Sequence, residues 1–187
     1  MQQEKMSLKE MVVSSYGELK NLRSLTGIAM LLALSVVLSA FSIQLTDSIK
    51  IGVGFIVTAL LGMMYGPVAG GLAAGAGDLI KYILKPTGPY FFGFTLTAIL
   101  GGVIYGLFFY KKKCTIVRAI AAKSTVTLLL NCLLNTFWVS LLYHNPFQVV
   151  LLGRVVKNVT LLPFEVIFLY VALNAATNLV IRRFAHG

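Results

Sequence analysis

The chain has 187 residues, of which 58% are hydrophobic and 12% are charged, and its formal net charge is +10. A soluble domain carries about 25% charged residues, so this composition excludes a soluble globular protein and indicates an integral membrane protein. The basic residues lie mostly between apolar runs, where they bear on how the chain is oriented in a membrane.

The first 24 residues mix lysine and arginine with glutamate, and no short apolar core precedes a cleavage site, so they do not form a signal peptide. Apolar residues recur at helical spacing, which predicts an amphipathic helix lying on the membrane surface. These residues are Leu8, Met11, Val12, Tyr16 and Leu19. A disordered tail is the alternative. We treat residues 1–24 as a cytoplasmic N-terminal segment and residues 25–187 as the membrane domain.

Six apolar runs follow, and they predict an all-α bundle of six transmembrane helices. The first run holds 21 residues without a charge, which would form about 31 Å of helix, enough for one bilayer crossing. The second and third runs are short and meet at the turn sequence "YGP". The predicted spans are Leu25–Leu45, Ile51–Tyr65, Pro67–Leu84, Pro89–Tyr110, Ala119–Tyr143 and Val159–Ile181.

The distribution of lysine and arginine predicts that both termini are cytoplasmic. With that orientation eleven of the 16 basic residues, including Lys123, lie on the inner side, as the positive-inside rule requires. The other five lie in or beside the three outer connections. An excess of positive charge at the outer mouth of a helical bundle suits an anionic solute that arrives from outside.

The sequence "GRVVKN" places Arg154, Lys157 and Asn158 on one face of a helix that begins near Gly153. The two cations either extend to water at a helix end or point inward as part of a binding site, and we favour the site. Glu165 lies seven residues after Asn158 on the same face. It is either a proton carrier or the partner of a basic group across the bundle.

Motifs for catalysis are missing from the sequence. It contains no phosphate-binding loop that ends in Lys-Ser or Lys-Thr, no His-Glu-x-x-His and no Gly-x-Ser-x-Gly. We therefore expect a binding or transport subunit with no enzymatic activity, no cofactor and no metal.

Ala29 and Ala33 lie four residues apart in the first span. Small residues at this spacing allow another helix to approach closely, within the bundle or on a partner protein.

Two stretches carry a resemblance to a known family. "GDLIKYILKPTGPYFFGFTLTAILGGVIYG" (77–106) and "GRVVKNVTLLP" (153–163) resemble the folate-specific substrate-binding subunits of energy-coupling factor (ECF) vitamin transporters. The similarity extends over about residues 24–183. It implies a six-helix bundle in the bacterial cell membrane with a vitamin pocket near its outer face. It also implies a membrane coupling protein and two cytoplasmic ATPases as partners, with Ala29 and Ala33 on the surface that meets the coupling protein.

Folate also suits the residues themselves, since it joins a flat pterin and an aromatic linker to a glutamate with two negative charges. Such a ligand needs aromatic walls, polar groups for the pterin and cations for the glutamate. Aromatic and amide candidates are Tyr82, Tyr90, Phe91, Phe92, Phe94, Asn131, Asn135 and Trp138. We expect Arg154 and Lys157 to bind the glutamate, and Asn158 to bind either the amide that joins the glutamate to the linker or the pterin edge. Asp78 either binds the pterin or forms an ion pair with Lys81.

Two other functions remain open at this point. One is a small proton-coupled secondary transporter that uses Glu165 as its proton carrier. The other is a substrate-binding subunit of the same family for a different vitamin.

Overall fold

The computed structural model describes residues 6–40, 43–46, 49–86 and 88–185. Residues 1–5 of the predicted N-terminal segment and residues 186–187 of the predicted membrane domain lie outside the described residues. The elements in chain order are α1 (Leu8–Glu18), α2 (Leu22–Ala40), β1 (Ile43–Thr46), β2 (Ile49–Ile51), α3 (Gly54–Leu84), α4 (Phe92–Phe109), α5 (Ile116–Thr125), a π-helix (Val126–Leu134), α6 (Asn135–Tyr143) and α7 (Phe147–Ala185). Within this part of the chain, five helical runs are long and apolar enough to cross a membrane: α2, α3, α4, the run Ile116–Tyr143 and α7.

The helix α3 is broken in its middle at the predicted "YGP" turn. Gly66 has a φ of +85°, a backbone conformation that side chains disfavour, and Pro67 follows it without an N–H to donate. The two arms, 54–65 and 67–84, fold back on each other, because a Cβ on Gly70 would lie only 2.9 Å from the Cα of Gly62. Counting these arms separately gives six helical passes, which agrees with the predicted six-helix bundle.

The α3 break is covered by α1, which lies within the N-terminal segment and buries Met11 and Ser15. The Ser15 side chain is fully buried, and its hydroxyl donates to the Tyr65 carbonyl at 2.7 Å. The same oxygen accepts from the N–H groups of Val68 and Ala69, each at 3.0 Å. A single hydroxyl thus provides partners for backbone groups that the interrupted helix leaves without intrahelical bonds.

The second arm of α3 packs against α4 in antiparallel fashion, with the two main chains in direct contact. A Cβ on Gly106 would lie 2.5 Å from the Cα of Pro67, and one on Gly102 would collide with the Gly70 carbonyl oxygen. Small residues permit such an approach, which drives helix association in a membrane through van der Waals packing.

The connections between the helices define two ends of the bundle. We call the end that carries the strands β1 and β2 and residues 85–86, 88–91 and 144–146 the mouth end. The opposite end carries α1, Gly66 and residues 110–115, and we call it the α1 end. There the Ser14 hydroxyl lies 2.9 Å from that of Tyr110.

Two predicted boundaries are wrong. The first span was expected to run to Leu45, but α2 ends at Ala40 and residues 43–46 form β1, paired with β2 through Ile43 and Ile51. In this stretch Ile43 and Leu45 alternate with polar residues, which is the two-residue period of a strand.

The last span was expected to begin near Gly153 or Val159, but α7 already begins at Phe147, just after Pro146. The charges of "GRVVKN" therefore do not mark a helix end, because they lie about two turns inside the helix.

We predict that Gly102→Ala destabilises the protein by about 1–3 kcal/mol, because the new methyl group would meet the main chain of α3, which cannot rotate away. The measurement is the apparent melting temperature of the purified protein in detergent. Gly153→Ala is the matched control, since Gly153 is also in a helix interior but has open space around its Cα. An equal fall in both variants would contradict main-chain contact between α3 and α4.

Candidate functional site

A cavity of about 660 Å³ lies inside the bundle, within the range of small-molecule sites. We call it the central cavity. Its walls come from α3, α4, the run Ile116–Tyr143 and α7. Five basic and two acidic side chains line it: Lys81, Lys85, Lys123, Arg154, Lys157, Asp78 and Glu165. The cavity therefore carries an excess of positive charge.

Near the mouth end, the predicted residues Asp78, Lys81 and Tyr82 all line the cavity. The Asp78 carboxylate accepts a hydrogen bond from the Thr95 hydroxyl at 2.8 Å, and that hydroxyl is 3.0 Å from the Tyr90 hydroxyl. The structure describes both Asp78 and Lys81, and no ion pair within 4.0 Å joins them. Of the two roles left open for Asp78, the ion pair with Lys81 is not formed, because the carboxylate is directed across to α4 instead of along its own helix.

In the middle of the cavity, Arg154, Lys157 and Asn158 lie on the α7 wall. One guanidinium nitrogen of Arg154, Nη1, donates to the Asn131 carbonyl at 3.3 Å. Its Nε is buried and has no hydrogen-bond partner among the residues described. Asn158 is buried and its amide lies 3.3 Å from the sulfur of Cys132. The three side chains point inward, so they do not extend to water at a helix end.

The wall opposite Arg154 contains the π-helix Val126–Leu134. At its end the Asn135 N–H reaches back five residues to the Leu130 carbonyl, which widens the turn. Asn131 and Asn135 both line the cavity, and the Asn135 amide is 3.4 Å from that of Asn131. Wide turns of this kind are frequent at functional sites, and this one presents two amides to the cavity.

Two of the predicted aromatic residues do not line the cavity. Phe92 is 64% exposed at the start of α4, whereas its neighbours Phe91 and Phe94 form the wall. Trp138 lies behind the wall, where its indole N–H donates to Thr97 at 3.2 Å and its ring packs on Phe91 at 5.4 Å between centroids. Asn135 and Trp138 lie three residues apart on α6, yet only Asn135 lines the cavity.

At the far end of the cavity, Lys123 of α5 forms an ion pair with Glu165 of α7, at 3.1 Å. Only 2% of the Lys123 side chain is exposed, and its ammonium lies 3.6 Å from the ring centroid of Phe55. The sequence places Lys123 among the cytoplasmic cations, and this is wrong because the residue lies inside the bundle. Of the two roles left open for Glu165, the structure gives it a basic partner across the bundle.

The alanines of the first span lie on the outside of the bundle. Ala29 and Ala33 are exposed on α2, whereas Ile28 and Ser35 of the same helix are buried. The small-residue face therefore does not pack within the chain.

Comparison with known proteins agrees with this architecture. A family model described as "ECF transporter, substrate-specific component" matches residues 23–173. The folate transporter FolT of Clostridium novyi (strain NT) is 36% identical over 152 residues, which cover 81% of this chain and 88% of that protein. FolT of Leuconostoc mesenteroides subsp. mesenteroides is 33% identical over 153 residues, or 79% of this chain and 82% of that protein.

A solved structure, the crystal structure of FolT bound with folic acid, superposes on this one with a TM-score of 0.76 at 37% sequence identity. The match covers 80% of this chain and 92% of that chain. The two proteins are therefore similar in both sequence and fold.

The matched residues 23–173 include every residue that lines the central cavity. The family consists of components of transporters and not of enzymes, which agrees with the absence of catalytic motifs from the sequence. The chain therefore belongs to the substrate-specific components of ECF transporters, which are multi-pass proteins of the bacterial cell membrane.

Proposed function

We propose that this chain is the folate-binding subunit of an ECF importer, which captures the vitamin at the outer face of the membrane. The observation that carries the proposal is the 36–37% identity, over about four-fifths of the chain, to a folate transporter and to a FolT that was crystallised with folic acid. The chemistry of the central cavity supports it independently.

The shape of the cavity suits folate, which is long and narrow. Its lining runs along α4 from Phe94 near the mouth to Tyr105, and eleven residues of helix span about 16 Å. Aromatic side chains form part of the walls, and the three asparagines in its middle offer both donors and acceptors. The excess of positive charge matches a ligand with two carboxylates.

Arg154 and Lys157 are the residues we propose for the glutamate of folate. A guanidinium can hold a carboxylate through two parallel hydrogen bonds, and an ammonium provides a compact charge for a second oxygen. Arg154 is also held in place by the Asn131 carbonyl while its buried Nε has no partner among the described residues. Its guanidinium is therefore positioned in advance at the cavity wall.

We predict that Arg154→Ala weakens folate binding at least tenfold, since a charged hydrogen bond in a partly dry site contributes about 1.5–3 kcal/mol. Binding of pteroate, which is folate without the glutamate, should weaken much less. Isothermal titration calorimetry of the purified subunit with both ligands measures the two ratios.

Arg118→Ala is the control for this experiment. Arg118 is also basic, but it lies at the α1 end, where its side chain donates to the Lys113 carbonyl. Its replacement should leave both affinities unchanged. Equal losses of folate and pteroate affinity in Arg154→Ala would show that the arginine does not bind the glutamate.

We further propose that α2 binds the membrane coupling protein, which joins two cytoplasmic ATPases in the complete transporter. In this arrangement the mouth end faces outside and both termini are cytoplasmic. The exposure of Ala29 and Ala33 supports the proposal, because small residues let a partner helix approach until the backbones nearly touch. The energy for transport then comes from other chains, as the missing ATP-binding motif requires.

We predict that Ala29→Trp or Ala33→Trp abolishes ATP-driven folate uptake in cells or proteoliposomes that contain the complete transporter. Folate binding by the isolated subunit should be unchanged, because neither residue lines the cavity. Leu34→Trp is the matched control, since Leu34 is an already bulky, exposed residue on another side of the same helix. Loss of binding together with uptake would mean that the alanines support the fold and not the coupling.

A further inference from the structure

The α1 end of the bundle carries a cluster of cations in the turn between α4 and α5. Three lysines occupy residues 111–113, and Arg118 follows in the first turn of α5. Within the residues that the structure describes, the one ion pair joins Lys123 to Glu165, far from this turn and inside the bundle. The two carboxylates of α1 accept hydrogen bonds elsewhere, one at the start of their own helix and the other from α2. No described acidic side chain therefore pairs with the cations of the turn.

Three of these cations, Lys111, Lys112 and Arg118, are held in place by neutral oxygens, and we call them the basic turn. The Lys111 ammonium donates to the Ser14 hydroxyl of α1 at 2.7 Å, and Lys111 has a φ of +52°, which is uncommon outside glycine. The Lys112 ammonium donates to a main-chain carbonyl of α4 at 2.7 Å, and the Arg118 guanidinium donates to a carbonyl of the turn at 2.9 Å. An ammonium has three N–H donors and a guanidinium has five, so each cation is oriented while it keeps its charge and further donors.

Lys112 and Arg118 lie close enough for their charges to repel each other. Burial lowers the pKa of Lys112, and the charge of Arg118 lowers that pKa further. Folding thus brings like charges together, which costs free energy unless an anion from outside the chain binds beside them. A phosphate suits this position, because its several oxygens can accept charged hydrogen bonds from more than one cation.

The exposed face of α1 indicates the source of this anion. Leu8, Val12 and Tyr16 recur every fourth residue, so they form one row along α1, and each is at least 46% exposed. The neighbouring row, which contains Ser15, packs on α3. Only residues 19–21 separate α1 from α2, the first helix that can cross the membrane, so α1 lies at the membrane boundary. An exposed apolar row at this depth contacts lipid.

We propose that the basic turn binds the headgroup of an anionic phospholipid and that the apolar row of α1 lies in the same lipid surface. A phospholipid fits both observations, because it brings negative charge and acyl chains to one depth, and basic residues beside membrane-crossing helices attract anionic lipids. A soluble anion would match the cations but not the apolar row. In the proposed orientation of the chain, the lipid belongs to the inner leaflet. This surface is separate from the central cavity and acts without folate.

The test compares two lipids with the same acyl chains, anionic dioleoylphosphatidylglycerol and zwitterionic dioleoylphosphatidylcholine. Native mass spectrometry of the purified full-length protein in detergent measures the affinity for each. One cation beside an anionic surface strengthens the attraction by about fivefold, so we expect the wild type to prefer phosphatidylglycerol by about tenfold or more. The variant Lys111→Gln/Lys112→Gln/Arg118→Gln should reduce this preference to about twofold or less, because it removes the charges of the basic turn.

Lys9→Gln/Lys20→Gln/Arg23→Gln is the matched control. It removes the same number of exposed positive charges at the same end of the bundle, but outside the basic turn, so it should keep the preference for phosphatidylglycerol. A second variant exchanges lysine for arginine and arginine for lysine throughout the basic turn. It conserves the charges and should also keep the preference. The melting temperature of each variant in detergent shows that its fold is intact.

Equal affinity of the wild type for the two lipids would overturn the inference. An equal loss of preference in the glutamine variant and in its matched control would also overturn it, because net charge and not the basic turn would then attract the lipid. If the wild type showed no preference and the glutamine variant still lost ATP-driven uptake in the complete transporter, the basic turn would bind an acidic partner protein instead. The lipid measurements contain no folate, so their failure would be distinct from a failure of the proposed function.

Discussion

Direct contact between the main chains of α3 and α4 is the constraint on which the rest of the bundle depends. Gly62, Gly70, Gly102 and Gly106 leave no room for a side chain, so the two arms of α3 and the length of α4 form one dense unit. The looser packing lies on the other side of α4, toward the run Ile116–Tyr143 and α7. The central cavity opens there. The glycine-rich sequence therefore accounts for the tight packing of α3 on α4.

The charged and polar groups inside the bundle differ in whether they have a partner within the chain. Ionised groups away from water are costly unless they are paired, and Lys123 meets Glu165 in this way. Arg154 is only partly satisfied by the Asn131 carbonyl, and Tyr105 has no partner among the described residues. Proteins commonly accept such local instability at functional sites, where a ligand completes the missing interactions. The Lys123–Glu165 pair thus removes the cost of two ionised groups inside the bundle, and the bond to Asn131 holds Arg154 at the cavity wall.

Much of this arrangement could be predicted because it depends on local patterns in the sequence. Twenty-one uncharged residues identify a membrane span, and "YGP" combines the residue that tolerates a positive φ with one that cannot continue a helix. The inward direction of Arg154 also followed from its position in an apolar run. All of these depend on residues close together in the chain.

What the sequence could not predict depends on contacts between distant residues. Spacing alone did not place Trp138, because its position behind the cavity wall involves a hydrogen bond to Thr97, 41 residues away in the chain. Lys123 resembled one more cytoplasmic lysine because its partner Glu165 lies 42 residues further on and on another helix. A lone carboxylate in the last span was itself a signal that a buried cation was needed. Phe92 could not be separated from Phe91 and Phe94, since the three lie where α4 begins and its first turn decides which rings face inward.

The left-handed backbone of Gly66 determines whether the chain crosses the membrane an odd or an even number of times. A straight helix over the 31 residues of α3 would be about 46 Å long, longer than the roughly 30 Å hydrocarbon core, but it would still count as one crossing. The chain would then cross the membrane five times, and each connection after α3 would lie on the opposite side of the membrane. With the reversal, six passes return the chain to the side on which it began. One backbone torsion thus decides which compartment receives the connection between α4 and α5, with its run of three lysines.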